Sequence, residues 1–287
     1  MREASDNSQG MLRLRDGRAL AYAEWGDPAG IPVLHFHGTP GSRLERHFDD
    51  RLYGRLSVRY VTADRPGYGQ SDPLPGRTFV DWASDVRELT DHLGIDRFRI
   101  FAVSGGGPFA LAVAREMADR VERVAIVSGV GPVDRPGAFR GMDLTERLTY
   151  WGAQRYPRVT GALTGAFLGS AARASDLIGR AASHAGKTVA SRASDVRVLS
   201  EQLREALRQG AGATVLEDVL CARPWGFPLA EITTEVQLWH GDRDRVCPLH
   251  HAEYIASIVP NATLTVRKGG HFLVLRCAEE TLRALIA

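Results

Sequence analysis

Short apolar runs alternate with segments of helical periodicity along most of this chain. "PVLHFHG" (32–38) and "RFRIFAVS" (97–104) have the length and continuous apolar character of strands buried on both faces. "TFVDWASDVRELTDHLG" (78–94) instead places apolar side chains on one helical face and ends at a glycine. The alternation continues to the C-terminus and predicts an α/β fold: a mostly parallel, twisted sheet flanked by helices.

The pattern changes in two places. "MLRLRDGRALAYAEWG" (11–26) predicts two strands joined at a tight Asp16-Gly17 turn, preceded by a polar segment that we expect to be mobile. Between two core strands, residues 134–230 show successive helical patterns and no clear strand, which predicts a helical cap. The expected division is a flexible tail at 1–10, a core at 11–133 and 231–287, and a helical cap at 134–230.

Composition removes several classes of function. With 36 basic and 34 acidic side chains among 287 residues, the chain gives no indication of a nucleic-acid partner. No apolar stretch reaches the roughly 20 residues that span a bilayer, so we expect no membrane contact. Three cysteines without CxxC spacing predict neither a disulfide framework nor a zinc site, and favour the reducing cytoplasm. The sequence does not indicate an oligomeric state.

The glycines of "AVSGGG" (102–107) lack the partners that phosphate binding requires. A Walker loop needs a lysine, and none lies nearby. Gly105, Gly107 and Ala110 fit a dinucleotide fingerprint, but the next strand ends in "VAIVSGVGP" without a ribose-binding carboxylate. We therefore expect no cofactor.

The same stretch fits a nucleophile elbow. A serine at a sharp strand-to-helix turn has a strained backbone, so the residues two before and two after it must be small. Around Ser104 these residues are Ala102 and Gly106. The helix that starts just after Ser104 also directs backbone N–H groups at developing negative charge.

A serine hydroxyl attacks only when a base, oriented by an acid, takes its proton. "QLWHGDRDRVCP" (237–248) places Asp242 and Asp244 just past a predicted strand, and His271 follows the next strand. The carboxyl ends of parallel strands open on one edge, so these groups are expected to converge. The loop "HFHGTPGSR" (35–43) adds Thr39, whose backbone N–H would complete an oxyanion hole with that of Gly105.

Over nearly its whole length the sequence resembles the α/β-hydrolase superfamily, through the motifs "HGTPG", "DRPGYGQSD", "AVSGGG", "HGDRDRVCP" and "GGHF". The resemblance implies Ser104 as nucleophile and His271 as base. It implies Asp244 as the acid, with Asp242 as the alternative. It also implies Thr39 and Gly105 as oxyanion donors, without a cofactor or metal.

Comparison of these motifs with those of related families narrows the set of reactions that the sequence predicts. "HGTP" resembles a loop of epoxide hydrolases, but those enzymes and haloalkane dehalogenases have an aspartate in place of Ser104. "HGTPG" resembles the HGGPG of proline iminopeptidases, whose elbow reads GGSWG rather than AVSGG. We therefore predict hydrolysis of a carboxylic ester, lactone or thioester of a small apolar substrate. The alternatives are a cofactorless lyase or C–C bond hydrolase with the same triad, and a non-enzymatic small-molecule binding protein.

Other polar residues have simpler interpretations. His35 and His37, two residues apart, resemble a metal pair, but without a third ligand we expect packing and loop shaping. Asp64 and Arg65 are expected to hold the "DRPGYG" turn through ion pairing, with support of the pocket floor as the alternative. Four aromatic residues of the predicted cap either line a pocket or belong to the core: Trp151, Tyr156, Phe167 and Trp225.

Overall fold

A single sheet forms the centre of the molecule in a computed structural model, which describes residues 8–173 and 193–287. Its strands are β1 Ser8–Arg13, β2 Ala19–Gly26, β3 Ile31–Phe36, β4 Val58–Ala63, β5 Phe98–Val103, β6 Val121–Val127, β7 Glu235–Gly241 and β8 Ala262–Arg267. Their order in the sheet is β1-β2-β4-β3-β5-β6-β7-β8. β2 runs antiparallel to β1 and β4, and the other pairings are parallel. The predicted mostly parallel sheet is therefore confirmed.

Helices cover both faces of this sheet. The helices that the structure describes are α1 Arg51–Arg55, α2 Asp81–His92, α3 Gly106–Glu116, α4 Leu144–Arg155, α5 Pro157–Arg173, α6 Ala193–Ala206, α7 Gly212–Cys221, α8 His250–Ile258 and α9 Val274–Ile286. Leu89, Phe109 and Ile255 bring α2, α3 and α8 into the core on one face. Leu52 and Leu282 bring α1 and α9 into the core on the other face. This burial on both sides explains the continuous apolar runs of the central strands. None of the described helices is long and apolar enough to cross a membrane.

The N-terminal hairpin forms where its turn residues predict it. Gly17 has a φ of 88°, in the left-handed region that glycine adopts without steric cost. Strand β1 begins at Ser8, so the expected tail at 1–10 is too long by three residues, because these residues pair with β2. Residues 1–7 lie outside the described part of the chain.

Helices α4 to α7 lie between β6 and β7, within the segment predicted as a cap. Part of that segment, residues 174–192, lies outside the described residues, and the division into core and cap remains a prediction. Trp151, Tyr156 and Phe167 are exposed. Trp225 is buried and packs edge-on against Phe79, so it belongs to the core.

Candidate active site

Ser104 occupies the sharp turn between β5 and α3. Its φ is 51°, a left-handed conformation that is strained for a residue with a side chain. Its N–H donates to the Val127 carbonyl at 3.0 Å, and its own carbonyl accepts the Gly107 N–H at 3.0 Å. A Cβ at Gly106 would lie 2.8 Å from the His37 carbonyl oxygen, so the close approach of these two segments requires glycine. The geometry is that of the predicted elbow.

Ser104, His271 and Asp244 form a hydrogen-bonded chain across three strand ends. His271 Nε2 lies 2.9 Å from Ser104 Oγ, and its Nδ1 lies 2.9 Å from Asp244 Oδ2. An ionised carboxylate only accepts hydrogen bonds, so Nδ1 carries the proton and Nε2 accepts from the serine hydroxyl. Ser104 thus meets two residues that lie at least 140 positions further along the chain, at the carboxyl edge of the sheet, as the parallel strand order dictates.

The two candidate acids have different surroundings. The Asp244 side chain is fully buried, and its Oδ1 accepts the N–H groups of Val246 and Cys247, each at 2.9 Å. Asp242 is more than one third exposed, and its Oδ1 accepts the Gly269 N–H at 2.9 Å. The structure therefore places Asp244 beside His271, while Asp242 braces the loop that follows β8.

Thr39 and Gly105 lie side by side next to Ser104. A Cβ built on Gly105 would lie 3.4 Å from the Thr39 nitrogen and 2.8 Å from the Thr39 Cβ. Neither backbone N–H donates a hydrogen bond within the residues that the structure describes. Two free N–H groups beside a serine hydroxyl match the requirements of an oxyanion hole.

Arg65 lies beneath the loop that carries Thr39. Its guanidinium donates to the His37 carbonyl at 2.6 Å and to the Gly38 carbonyl at 3.1 Å. It also reaches Thr39 Oγ1 at 3.3 Å and is fully buried. Arg65 holds its own turn, since its carbonyl accepts the Tyr68 N–H at 2.9 Å, and its guanidinium also supports the loop at the pocket floor.

The partner of Arg65 is Glu217 on α7, which the sequence analysis missed. Its carboxylate accepts from Thr39 Oγ1 at 2.5 Å, from Arg65 Nε at 2.7 Å, and from Tyr68 and Arg77 at 3.0 and 2.8 Å. Burial raises the pKa of Glu217, but the charges of Arg65 and Arg77 outweigh it and hold that pKa well below its usual range. The available signal was a pair of acids in the otherwise apolar "GATVLEDVLC".

Asp64 holds its own turn, since its Oδ2 accepts the Gln70 N–H at 2.9 Å, and it also pairs outside that turn. Its carboxylate bonds the Arg43 guanidinium at 2.7 Å, and Arg43 in turn reaches Glu205 on α6 at 2.6 Å. His35 and His37 are buried. His35 bonds Glu45, and His37 accepts the Arg65 N–H at 3.3 Å. These contacts agree with the expected loop-shaping role of the two histidines.

A cavity of about 420 Å³ opens in front of Ser104 and His271. Its aromatic lining consists of Phe48, Tyr53, Tyr60, Phe101, Tyr150 and Phe272. The four cap aromatics singled out in the sequence do not line it. Such a volume holds a small organic molecule against a largely apolar wall.

A family model described as the alpha/beta hydrolase fold matches residues 31–276. The chain belongs to the α/β-hydrolase family. The match includes the elbow, both candidate acids and His271, so the family resemblance drawn from the motifs is confirmed.

The relatives of this chain are named for different enzymatic activities. A proline iminopeptidase from Xanthomonas citri is 35% identical over 121 residues, which are 40% of this chain and 37% of that protein. A non-heme chloroperoxidase from Streptomyces lividans is 36% identical over 128 residues, or 43% of this chain and 46% of that one. The α/β-hydrolase described here therefore matches less than half the length of these relatives.

Solved structures match the fold along nearly the whole chain. An esterase from Exiguobacterium antarcticum has a TM-score of 0.70 at 20% identity, covering 96% of this chain and 97% of that one. A bromoperoxidase from Bacillus anthracis also has a TM-score of 0.70 at 20% identity, with coverage of 97% and 99%. At this identity the likeness concerns the fold alone.

Proposed function

We propose that this α/β-hydrolase is a serine hydrolase that cleaves a carboxylic ester, lactone or thioester of a small apolar substrate. The observation that carries the proposal is the continuous chain of 2.9 Å hydrogen bonds from Ser104 Oγ through His271 to Asp244. An acid that orients a base, which in turn bonds a hydroxyl, is the arrangement that activates serine.

Acylation follows from this geometry. His271 Nε2 takes the hydroxyl proton while Ser104 Oγ bonds to the substrate carbonyl carbon, and the carbonyl oxygen becomes an oxyanion. The N–H groups of Thr39 and Gly105 stabilise this charge. His271 then gives its proton to the departing alcohol or thiol, and the acyl group stays on Ser104. Asp244 stabilises the imidazolium throughout.

Deacylation repeats these roles with water. His271 takes a proton from water, whose oxygen attacks the acyl carbon, and the bond to Ser104 breaks as the serine recovers the proton. The free acid leaves. The cavity supports small apolar acyl or alcohol groups, because aromatic and aliphatic side chains form most of its wall.

Reaction with a fluorophosphonate probe tests the nucleophile, and a panel of p-nitrophenyl esters, lactones and thioesters tests the reaction. We expect labelling of Ser104 and ester turnover, both abolished in Ser104→Ala. Labelling without ester turnover, combined with release of proline from a prolyl amide, would favour an iminopeptidase. Ester turnover that persists in Ser104→Ala would overturn the proposal. A folded protein that neither labels nor turns over would favour a binding role.

A further inference from the structure

Two acidic residues of the helical segment line the cavity that contains Ser104. Glu146 lies on α4 and Asp218 lies on α7, and these two helices pack against each other. The proposed mechanism uses neither carboxyl. The rest of the cavity wall is largely apolar, although Glu45, Arg46 and His47 also line it.

Among the residues that the structure describes, neither carboxyl is paired with a cation. No hydrogen bond or ion pair joins the side chain of Glu146 or Asp218 to any part of the chain that the structure describes. Both residues are partly exposed, and both line the cavity. By contrast the adjacent Glu217, also on α7, is fully satisfied by Arg65 and its neighbours.

Burial acts on both acids, while the charges around them are mixed. Burial raises the pKa of Glu146, His271 opposes this rise, and smaller contributions from Asp143 and Asp244 add to it. Burial also raises the pKa of Asp218 well above its usual range, and the charges of Glu146 and Glu217 add to this. Two unpaired acids in an apolar cavity are costly unless a ligand supplies the missing cation.

We propose that Glu146 and Asp218 form a subsite for a protonated amine, so that the substrate of this hydrolase carries a primary or secondary ammonium group. This inference rests on the proposed function, since it names the substrate class for the same site. The ammonium would donate hydrogen bonds to both carboxylates, while the apolar part of the substrate packs on the aromatic wall.

Calorimetric titration of the unmodified protein with benzylammonium and with benzyl alcohol tests the subsite. The two probes have nearly the same shape and differ in charge. Because a hydrogen bond to a charged group contributes about 1.5–3 kcal/mol, we expect benzylammonium to bind at least about tenfold more tightly. An entering cation favours the ionised carboxyls, so binding should also release protons, seen as a difference in heat between phosphate and Tris buffers.

The double variant Glu146→Gln, Asp218→Asn should lose both the preference for benzylammonium and the proton release. Asp143→Asn is the matched control, because Asp143 lies near Glu146 but pairs with Arg245 and does not line the cavity. This control should keep the preference. Equal binding of the two probes by the unmodified protein overturns the proposal, whether or not the double variant folds. So does a folded double variant that still prefers the ammonium.

Fluorophosphonate labelling distinguishes failure of the amine-subsite proposal from failure of the proposed hydrolase function. A protein that labels at Ser104 but binds both probes equally is a hydrolase without an amine subsite. A protein that prefers benzylammonium but does not label has the subsite and fails the proposed reaction.

Discussion

The backbone at Ser104 shows how local requirements make part of the site predictable. A left-handed residue with a side chain costs roughly 1–2 kcal/mol, and here the small neighbours Ala102 and Gly106 allow it. Those neighbours are visible in the sequence because the elbow is a contiguous turn. The choice between Asp242 and Asp244 depended on the family resemblance, since both residues follow the same strand. Only the structure shows which carboxylate meets His271.

The assignment of Asp244 as the acid predicts different losses of kcat/KM when each aspartate is replaced by the uncharged asparagine. Asp244→Asn should lower kcat/KM for p-nitrophenyl esters by roughly 10³–10⁴-fold, because the amide no longer holds the proton on Nδ1 of His271. Asp242→Asn should change kcat/KM by less than about tenfold, since that side chain bonds the loop at Gly269 and not His271. Steady-state kinetics of both variants checks this. The reverse order of effects would reassign the acid to Asp242.

Gly105 gives a test of the oxyanion hole. In Gly105→Ala the new methyl group clashes with the Thr39 side chain. This clash moves the backbone N–H groups of Thr39 and Gly105 apart. We expect kcat to fall by roughly 10²-fold, the loss typical of one missing oxyanion donor. Gly54→Ala in α1 is the control, because nothing lies within 4 Å of a Cβ there. If Gly105→Ala retains full activity, the donor pair is wrongly assigned.

At the level of elements, strand order explains both what the sequence predicts and what it misses. Ser104, Asp244 and His271 each follow a recognisable strand, and parallel strands bring their carboxyl ends to one edge. Glu217 and Asp218 lie on a helix whose position depends on contacts with residues more than 100 positions away. Helical periodicity predicts that such a helix exists, but it does not predict which core loop the helix packs against.

The contact between α7 and the Thr39 loop makes Glu217 a positioning residue. Glu217→Gln leaves Arg65 and Arg77 without a buried counter-charge, which should lower the free energy of unfolding by roughly 3–5 kcal/mol. Because Thr39 Oγ1 loses its anchor, kcat should also fall about tenfold while KM changes little. Denaturant unfolding and ester kinetics measure the two effects.

Glu205→Gln provides the comparison for this variant. Glu205 joins α6 to Arg43, but neither residue hydrogen-bonds Thr39. Loss of this pair should lower stability with little change in kcat. Equal losses of kcat in the two variants would mean that Glu217 acts only through general stability.

For the whole molecule, these carboxylates connect the helical segment to the sheet at two buried points. Glu205 reaches Asp64 through Arg43, and Glu217 reaches the Thr39 loop through Arg65. Ion pairs of this kind are costly to desolvate, so their benefit lies in fixing one arrangement of the segment over Ser104. Histidines far from the cavity are buried as well. Because burial disfavours their protonated form, they make the stability of the folded state sensitive to acid.

His251 on α8 should make the stability of the folded protein fall between pH 6.5 and 4. Burial lowers its pKa from 6.5 to about 4, while its ring bonds the Gly131 N–H and the Ala138 carbonyl. Below pH 6.5 the unfolded chain binds a proton that the folded chain excludes until about pH 4. The unfolding free energy should therefore drop by up to about 3 kcal/mol over this window.

Urea unfolding at steps across that pH window measures the effect. His251→Gln should be less stable at neutral pH but should show a shallower fall, because the titrating group is gone. His92→Gln, at an exposed position on α2, should keep the slope of the unmodified protein. An unchanged slope in His251→Gln would mean that other buried groups, such as His37, whose pKa burial also lowers, account for the acid sensitivity.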